Sequence, residues 1–220
     1  MRSIVLLSGG LDSAVGFKCA LDKGEVLCAL TFDYGQLAVV REIEATAAMC
    51  ERFKVQHEIV RLDWLRKITS TALVNRNESV PQLGSADLND AENSHKTAKA
   101  VWVPNRNGVF VSIGASFAEA LDADTVVAGF NAEEGETFPD NSTDFVNSVN
   151  RGLCFSTLNK VQLWAPTQDL TKTEIVALGR KIEAPLDLVW SCYHGGKRPC
   201  GTCESCTRFL RATGGIEGMT

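Results

Sequence analysis

Short apolar runs alternate with stretches of helical periodicity along most of the chain. Ser3–Leu7, Glu25–Phe32, Gln56–Val60, Thr125–Gly129 and Val161–Ala165 are runs of strand length, and Glu25–Phe32 is rich in Val, Leu and Thr. Between them, Asp12–Lys23, Val39–Phe53, Gly108–Leu121, Thr143–Arg151 and Lys172–Lys181 carry apolar residues at helical spacing, with Gly24 placed to close the first helix. Strands that alternate with helices need crossover connections, which favour parallel pairing and cover both faces of the sheet. The pattern therefore predicts an α/β fold: a doubly wound, Rossmann-like parallel sheet of five strands. In such sheets ligands bind beyond the carboxyl ends of the strands, where strand order reverses. With the first and fourth strands as neighbours, the Ser8–Ser13 and Phe130–Asn141 loops face each other across one crevice.

Residues 63–103 break this rhythm. They are polar, with Pro81, Gly84 and the run Asp87 to Asn93, and they read as an excursion or lid in which Leu65–Leu73 is a candidate helix. The expected organisation is an α/β unit over 1–190 and a C-terminal segment over 191–220 packed on it.

At 220 residues the chain is long enough for a sizeable core. A net charge of −5 without a Lys/Arg-rich run argues against a broad nucleic-acid footprint. No apolar stretch approaches the about 20 residues that span a bilayer, and Met1 runs straight into the first strand without a signal-peptide pattern, so a cytoplasmic location is expected. Of the eight cysteines, Cys19, Cys28, Cys50 and Cys154 are scattered in apolar or amphipathic stretches and read as small buried hydrophobes of a reducing compartment.

The other four cysteines bunch as Cys192-x7-Cys200-x2-Cys203-x2-Cys206. Thiolates at this spacing can converge on one tetrahedral ion. Zn²⁺ accepts four sulfurs, and such a closed site is structural. An iron–sulfur cluster is the alternative. His194 reads as a loop residue, and Thr207–Ala212 as a short helix closing the site.

The candidate chemistry at the other end is the turn Ser8-Gly9-Gly10-Leu11-Asp12-Ser13, directly after the first strand. It sets bare backbone N–H groups and two hydroxyls at a helix N-terminus, a site suited to pyrophosphate. It is not a Walker loop: its glycines are adjacent and no Gly-Lys-Ser/Thr follows. The turn resembles the Ser-Gly-Gly-x-Asp-Ser signature of the PP-loop ATP pyrophosphatases. That resemblance implies an adenine nucleotide α-hydrolase-like fold and cleavage of ATP between its α and β phosphates.

Together with the four-cysteine tail, the segments Thr31 to Gln36, Val103 to Asn107, Phe138-Pro139-Asp140 and Trp190 to Tyr193 make the chain similar, over nearly its whole length, to the 7-cyano-7-deazaguanine synthase family. The resemblance implies that a deazapurine carboxylate is adenylated by ATP, aminated by ammonia, adenylated again and converted to a nitrile, with Mg²⁺ sharing the phosphate charge. It implies nucleotide contacts at Leu7, Ser8, Gly9, Gly10, Leu11, Asp12, Ser13, Leu30 and Phe32. Asp12, Arg106 and Lys172 become the candidate catalytic residues, and Arg106, Glu134 and Asp140 the candidate substrate contacts. A homodimer is also implied. The chain departs from the family pattern after Asp140, where Asn141 and Ser142 replace a cysteine and an arginine. Two other functions therefore stand beside the first: a ligase that passes the acid to another amine, such as one on a protein, and a non-catalytic nucleotide-binding zinc module. A tRNA thiolase fits less well, having neither catalytic cysteines near the turn nor a basic face to support it.

Overall fold

The computed structural model describes residues 1–82 and 98–214. Five parallel strands form one sheet in the order β3-β2-β1-β4-β5: β1 (Arg2–Leu6), β2 (Glu25–Asp33), β3 (Gln56–Arg61), β4 (Thr125–Val127) and β5 (Gln162–Trp164). This is the predicted doubly wound sheet, and its order reverses between β1 and β4. Those two strands pair directly, Ser3 with Thr125 and Val5 with Val127.

Side chains alternate across a strand, and β1 shows how that divides the core. Ile4 points into a cluster with Val126, Leu163, Val111 and Ala115, whereas its neighbour Val5 joins Ala14, Phe17, Ala29, Met49 and Val127. One face is covered by α1 (Leu11–Lys23) and α2 (Val39–Phe53). The other is covered by α4 (Arg106–Ala120) and α6 (Thr143–Ser156). Further helices among the described residues include α3 (Asp63–Ile68), the short α5 (Ala132–Gly135), α7 (Lys172–Lys181) and α8 (Glu204–Thr213). α7 and α8 pack on α1 through Leu11, Val15, Ile175, Val176 and Ala212.

Some local expectations need correction. The helix predicted at Leu65–Leu73 is observed as Asp63–Ile68, and Thr69 is already extended (φ −99°, ψ 123°). β-Branched Ile68, Thr69 and Thr71 disfavour continuation, and the Thr69 hydroxyl closes the last turn by donating to the Leu65 carbonyl at 2.6 Å. Ala72 instead donates its N–H to Ala100 at 3.0 Å. Leu62, Leu65, Leu73, Val101 and Val103 are all buried in the main core. Within the proposed excursion, Gly84 and the run Asp87 to Asn93 lie outside the described residues. Among the scattered cysteines, Cys28 and Cys50 are buried, but Cys154 is exposed and Cys19 half-buried. Leu153 takes the inward position on α6, which turns its neighbour Cys154 outward.

Candidate active site

The turn after β1 is built by its own backbone. Gly9 adopts φ +82°, a left-handed conformation open to glycine, and Gly10 precedes α1 without any side-chain cap. The first N–H groups of the helix are thus left for a ligand. Ser8 and Ser13 brace the turn: their hydroxyls are 3.0 Å apart, and Ser13 Oγ donates to the Gly10 carbonyl at 3.0 Å. Trp190 N–H donates to the Gly9 carbonyl at 2.9 Å. β4 continues into Gly129, where a β-carbon would come within 2.5 Å of the Ser13 nitrogen. Only glycine lets the β4 loop lie this close to the first turn of α1.

The two loops do face each other. Asn131, fully buried, donates to Asp12 at 3.3 Å and caps α5 by accepting from the Glu134 N–H at 2.9 Å. Lys172, the first residue of α7, is also buried; its ammonium contacts Asp12 directly and reaches Glu134 at 2.7 Å. Burial pushes the Asp12 carboxyl up to about 6, against the pull of Lys172. Burial acts on Glu134 in the same sense, but the Lys172 ammonium overrides it and holds that carboxyl below its ordinary value. Burial alone would lower the Lys172 pKa; the two carboxylates hold it well above normal. A capping box at Thr171 and Glu174 fixes the start of α7, and Glu133 accepts the Lys172 backbone N–H at 2.8 Å.

These groups line a cleft of about 260 Å³. Its other walls carry Arg106, which opens α4 and donates to the Tyr34 hydroxyl at 3.4 Å, and Asp140, whose carboxyl burial pushes up. Glu42 enters the cleft from α2. Gln36 donates to it at 2.7 Å, and burial pushes its carboxyl up to about 7. Stacked aromatic pairs give the cleft flat apolar sides: Phe32 with Phe110 at 4.0 Å and Trp102 with Phe138 at 6.2 Å.

Of the expected nucleotide contacts, Leu7, Ser8, Gly10, Leu11, Asp12, Ser13 and Phe32 line the cleft. Gly9 does not; its left-handed backbone shapes the turn. Leu30 is fully buried and placed elsewhere: its carbonyl accepts the Leu7 N–H at 2.8 Å while its side chain joins the core. The expected substrate residues Arg106, Glu134 and Asp140 all reach the cleft, and so does Asn141. Ser142 instead caps α6, accepting from the Phe145 N–H at 3.1 Å. Glu42, Tyr193, Glu133, Glu204 and Arg208 line the cleft without having been singled out. Only Tyr193 carried a signal, as part of the segment Trp190 to Tyr193.

The four clustered cysteines converge. Their sulfurs lie within 4.8 Å of one another, and Cys200 and Cys206 are 4.0 Å apart. A tetrahedral ion with bonds of about 2.3 Å to sulfur sets the sulfurs about 3.8 Å apart, so the set fits one metal ion. Backbone N–H groups of His194, Cys200 and Cys203 donate to these sulfurs at 3.3–3.4 Å, as suits thiolates. His194 contributes only that backbone group to the cluster. Cys203 stands at the N-cap position of α8, so the cysteine cluster sets the start of the helix that carries Glu204 and Arg208 to the cleft.

A doubly wound sheet, an uncapped Ser-Gly-Gly-x-Asp-Ser turn at its switch point and a lysine facing that turn define an α/β enzyme of the PP-loop class. The family model for queuosine biosynthesis protein QueC matches residues 2–216, and the chain belongs to that family. A 7-cyano-7-deazaguanine synthase of Pelotomaculum thermopropionicum is 53% identical over 219 residues, covering 99% of each chain. One of Methanosarcina mazei is 50% identical over 215 residues, covering 96% of this chain and 93% of its own. Among solved structures, the NMN synthetase of Francisella tularensis aligns over 90% of this chain and 70% of its own, at 14% identity and a TM-score of 0.48.

Proposed function

We propose that the chain converts 7-carboxy-7-deazaguanine, ATP and ammonia into 7-cyano-7-deazaguanine. One observation carries the reading beyond family membership: the nucleotide turn, Lys172 and Arg106 share a single cleft with flat aromatic sides. In the first half, a carboxylate oxygen of the acid attacks the α-phosphorus and pyrophosphate leaves. Ammonia then adds to the acyl carbon, AMP departs, and a proton is lost to give the amide. In the second half, the amide oxygen attacks the α-phosphorus of a second ATP and pyrophosphate leaves. Loss of AMP with the remaining amide protons leaves the nitrile, so the oxygen exits on AMP.

No side-chain nucleophile is needed. The protein's work is alignment, charge neutralisation and exclusion of water. Ser8, Gly10, Ser13 and the first N–H groups of α1 hold the departing pyrophosphate, with Lys172 turned toward its charge. Arg106 grips the acid's carboxylate in the manner of a guanidinium fork. Mg²⁺ would be held at Asp12, whose buried second oxygen lacks a partner, and would offset phosphate charge. Zn²⁺ on the four cysteines would be structural. The reading includes a cytoplasmic homodimer, which light scattering tests.

The deciding experiment combines pyrophosphate release with mass spectrometry of products. Nitrile formed with ammonium as the sole amine supports the reading. Pyrophosphate release that requires a protein amine would replace it with a ligase, and no release at all would leave a nucleotide-binding module.

A further inference from the structure

Six acids line the cleft, and most have their partners. Glu133 accepts from the Lys172 backbone, Arg208 and Arg211. Glu134 is held by Lys172, Glu42 by Gln36, and Asp140 by Asn141. Among the described residues, only Asp12 and Glu204 bring to the cleft a buried carboxylate oxygen with no partner. Asp12 belongs to the nucleotide turn. Glu204 stands on α8, is 6% exposed, and uses its other oxygen to accept from Arg208 at 3.0 Å.

An orphaned buried carboxylate oxygen is costly unless a donor arrives with a ligand. Neutral N–H groups fit. A guanine-like ring offers two on one edge, the ring N–H and the exocyclic amino group, and the aromatic side chains Tyr193 and Phe209 also line the cleft.

We propose that Glu204 is the specificity-determining residue that reads the amino-pyrimidinone edge of the deazapurine, with Arg208 as the positioning residue that holds it. The assignment rests on the proposed reaction for its substrate. It adds to the candidate substrate contacts Arg106, Glu134 and Asp140 a residue set between two of the clustered cysteines.

The test uses the metal-loaded enzyme, the deazapurine acid and its analogue lacking the exocyclic amino group. Wild-type protein binds the parent acid more tightly than the analogue by calorimetry. Glu204→Gln weakens parent binding by about 10- to 100-fold, as expected for losing a charged acceptor, and brings the two ligands to near parity. Affinity for ATP, the KM for ammonium and metal content stay unchanged. Glu204→Asp, which keeps the charge, recovers part of the preference. Equal binding of both ligands by wild type, a parallel loss for both in Glu204→Gln, or a shift in the ammonium KM instead would overturn the assignment. Selective binding of the parent without nitrile formation would overturn the reaction and leave Glu204 in place.

Discussion

The two walls of the cleft are built in different ways. The wall at β1 and α1 is local: six consecutive residues, Ser8 to Ser13, supply its geometry. The wall at α5, α7 and α8 is assembled from residues far apart in the chain. Lys172 meets Asp12 across 160 positions, and Arg208 meets Glu133 across 75. A backbone-built site tolerates change in its surroundings and fails when its own few residues change. A site built of ion pairs fails when any distant partner is lost, because the charge left behind stays buried.

The largest expected effect follows from that difference. Lys172→Met leaves Asp12 and Glu134 facing each other without their cation, and pyrophosphate release should fall by about 10²- to 10³-fold, the scale of losing a transition-state charge partner. A melting curve of the same variant should show destabilisation of about 3–5 kcal/mol. Activity near wild type would show that the distant wall does not take part in the chemistry.

The metal comes next. Cys203→Ser removes one of four ligands and the residue that starts α8, so metal content measured by atomic emission should fall. Substrate affinity should fall with it, while nucleotide binding to the turn survives. Loss of both together would mean that the two walls are not separable.

Gly129→Ala tests the local wall. Its β-carbon would press on the Ser13 nitrogen at 2.5 Å, and overpacking of this kind costs about 1–3 kcal/mol. The signature should be a weaker KM for ATP with little change for the acid.

The smallest effect concerns Glu42. Its folded-state pKa of about 7 lies above the reference 4.5, so the folded chain keeps this proton when the unfolded chain has released it. The group's contribution is fully present below 4.5 and declines as pH rises toward 7. Glu42→Gln should therefore gain melting temperature relative to wild type at about pH 8 and little at about pH 5. A constant difference across that range would refute the coupling.

The same contrast explains what could be read in advance. Four of the strands were legible as short apolar runs with a helix after each, whereas β3 holds only Ile59 and Val60 as apolar residues; the Ser8–Ser13 turn was legible because its own glycines set its shape. The cysteine cluster was legible from spacing alone. Glu42 was not: in an amphipathic helix it looks like one more solvated charge, and only the approach of Gln36 and the cleft behind it give it another role. Glu204 and Arg208 are one helical turn apart in a segment whose cysteines draw the eye, and their value depends on Glu133, far away in sequence. Leu73, Val101 and Val103 lie in a polar stretch that suggests surface, yet they fill the core.

Lys172 shared between Asp12 and Glu134 leaves that cluster with an excess of negative charge before nucleotide arrives. A bare polyphosphate would therefore enter against an opposing potential, and a counter-ion travelling with it would remove the barrier. Isothermal titration with ATP should show strong binding in magnesium buffer and almost none in EDTA; equal affinity in both would mean that the shared lysine swings free at little cost.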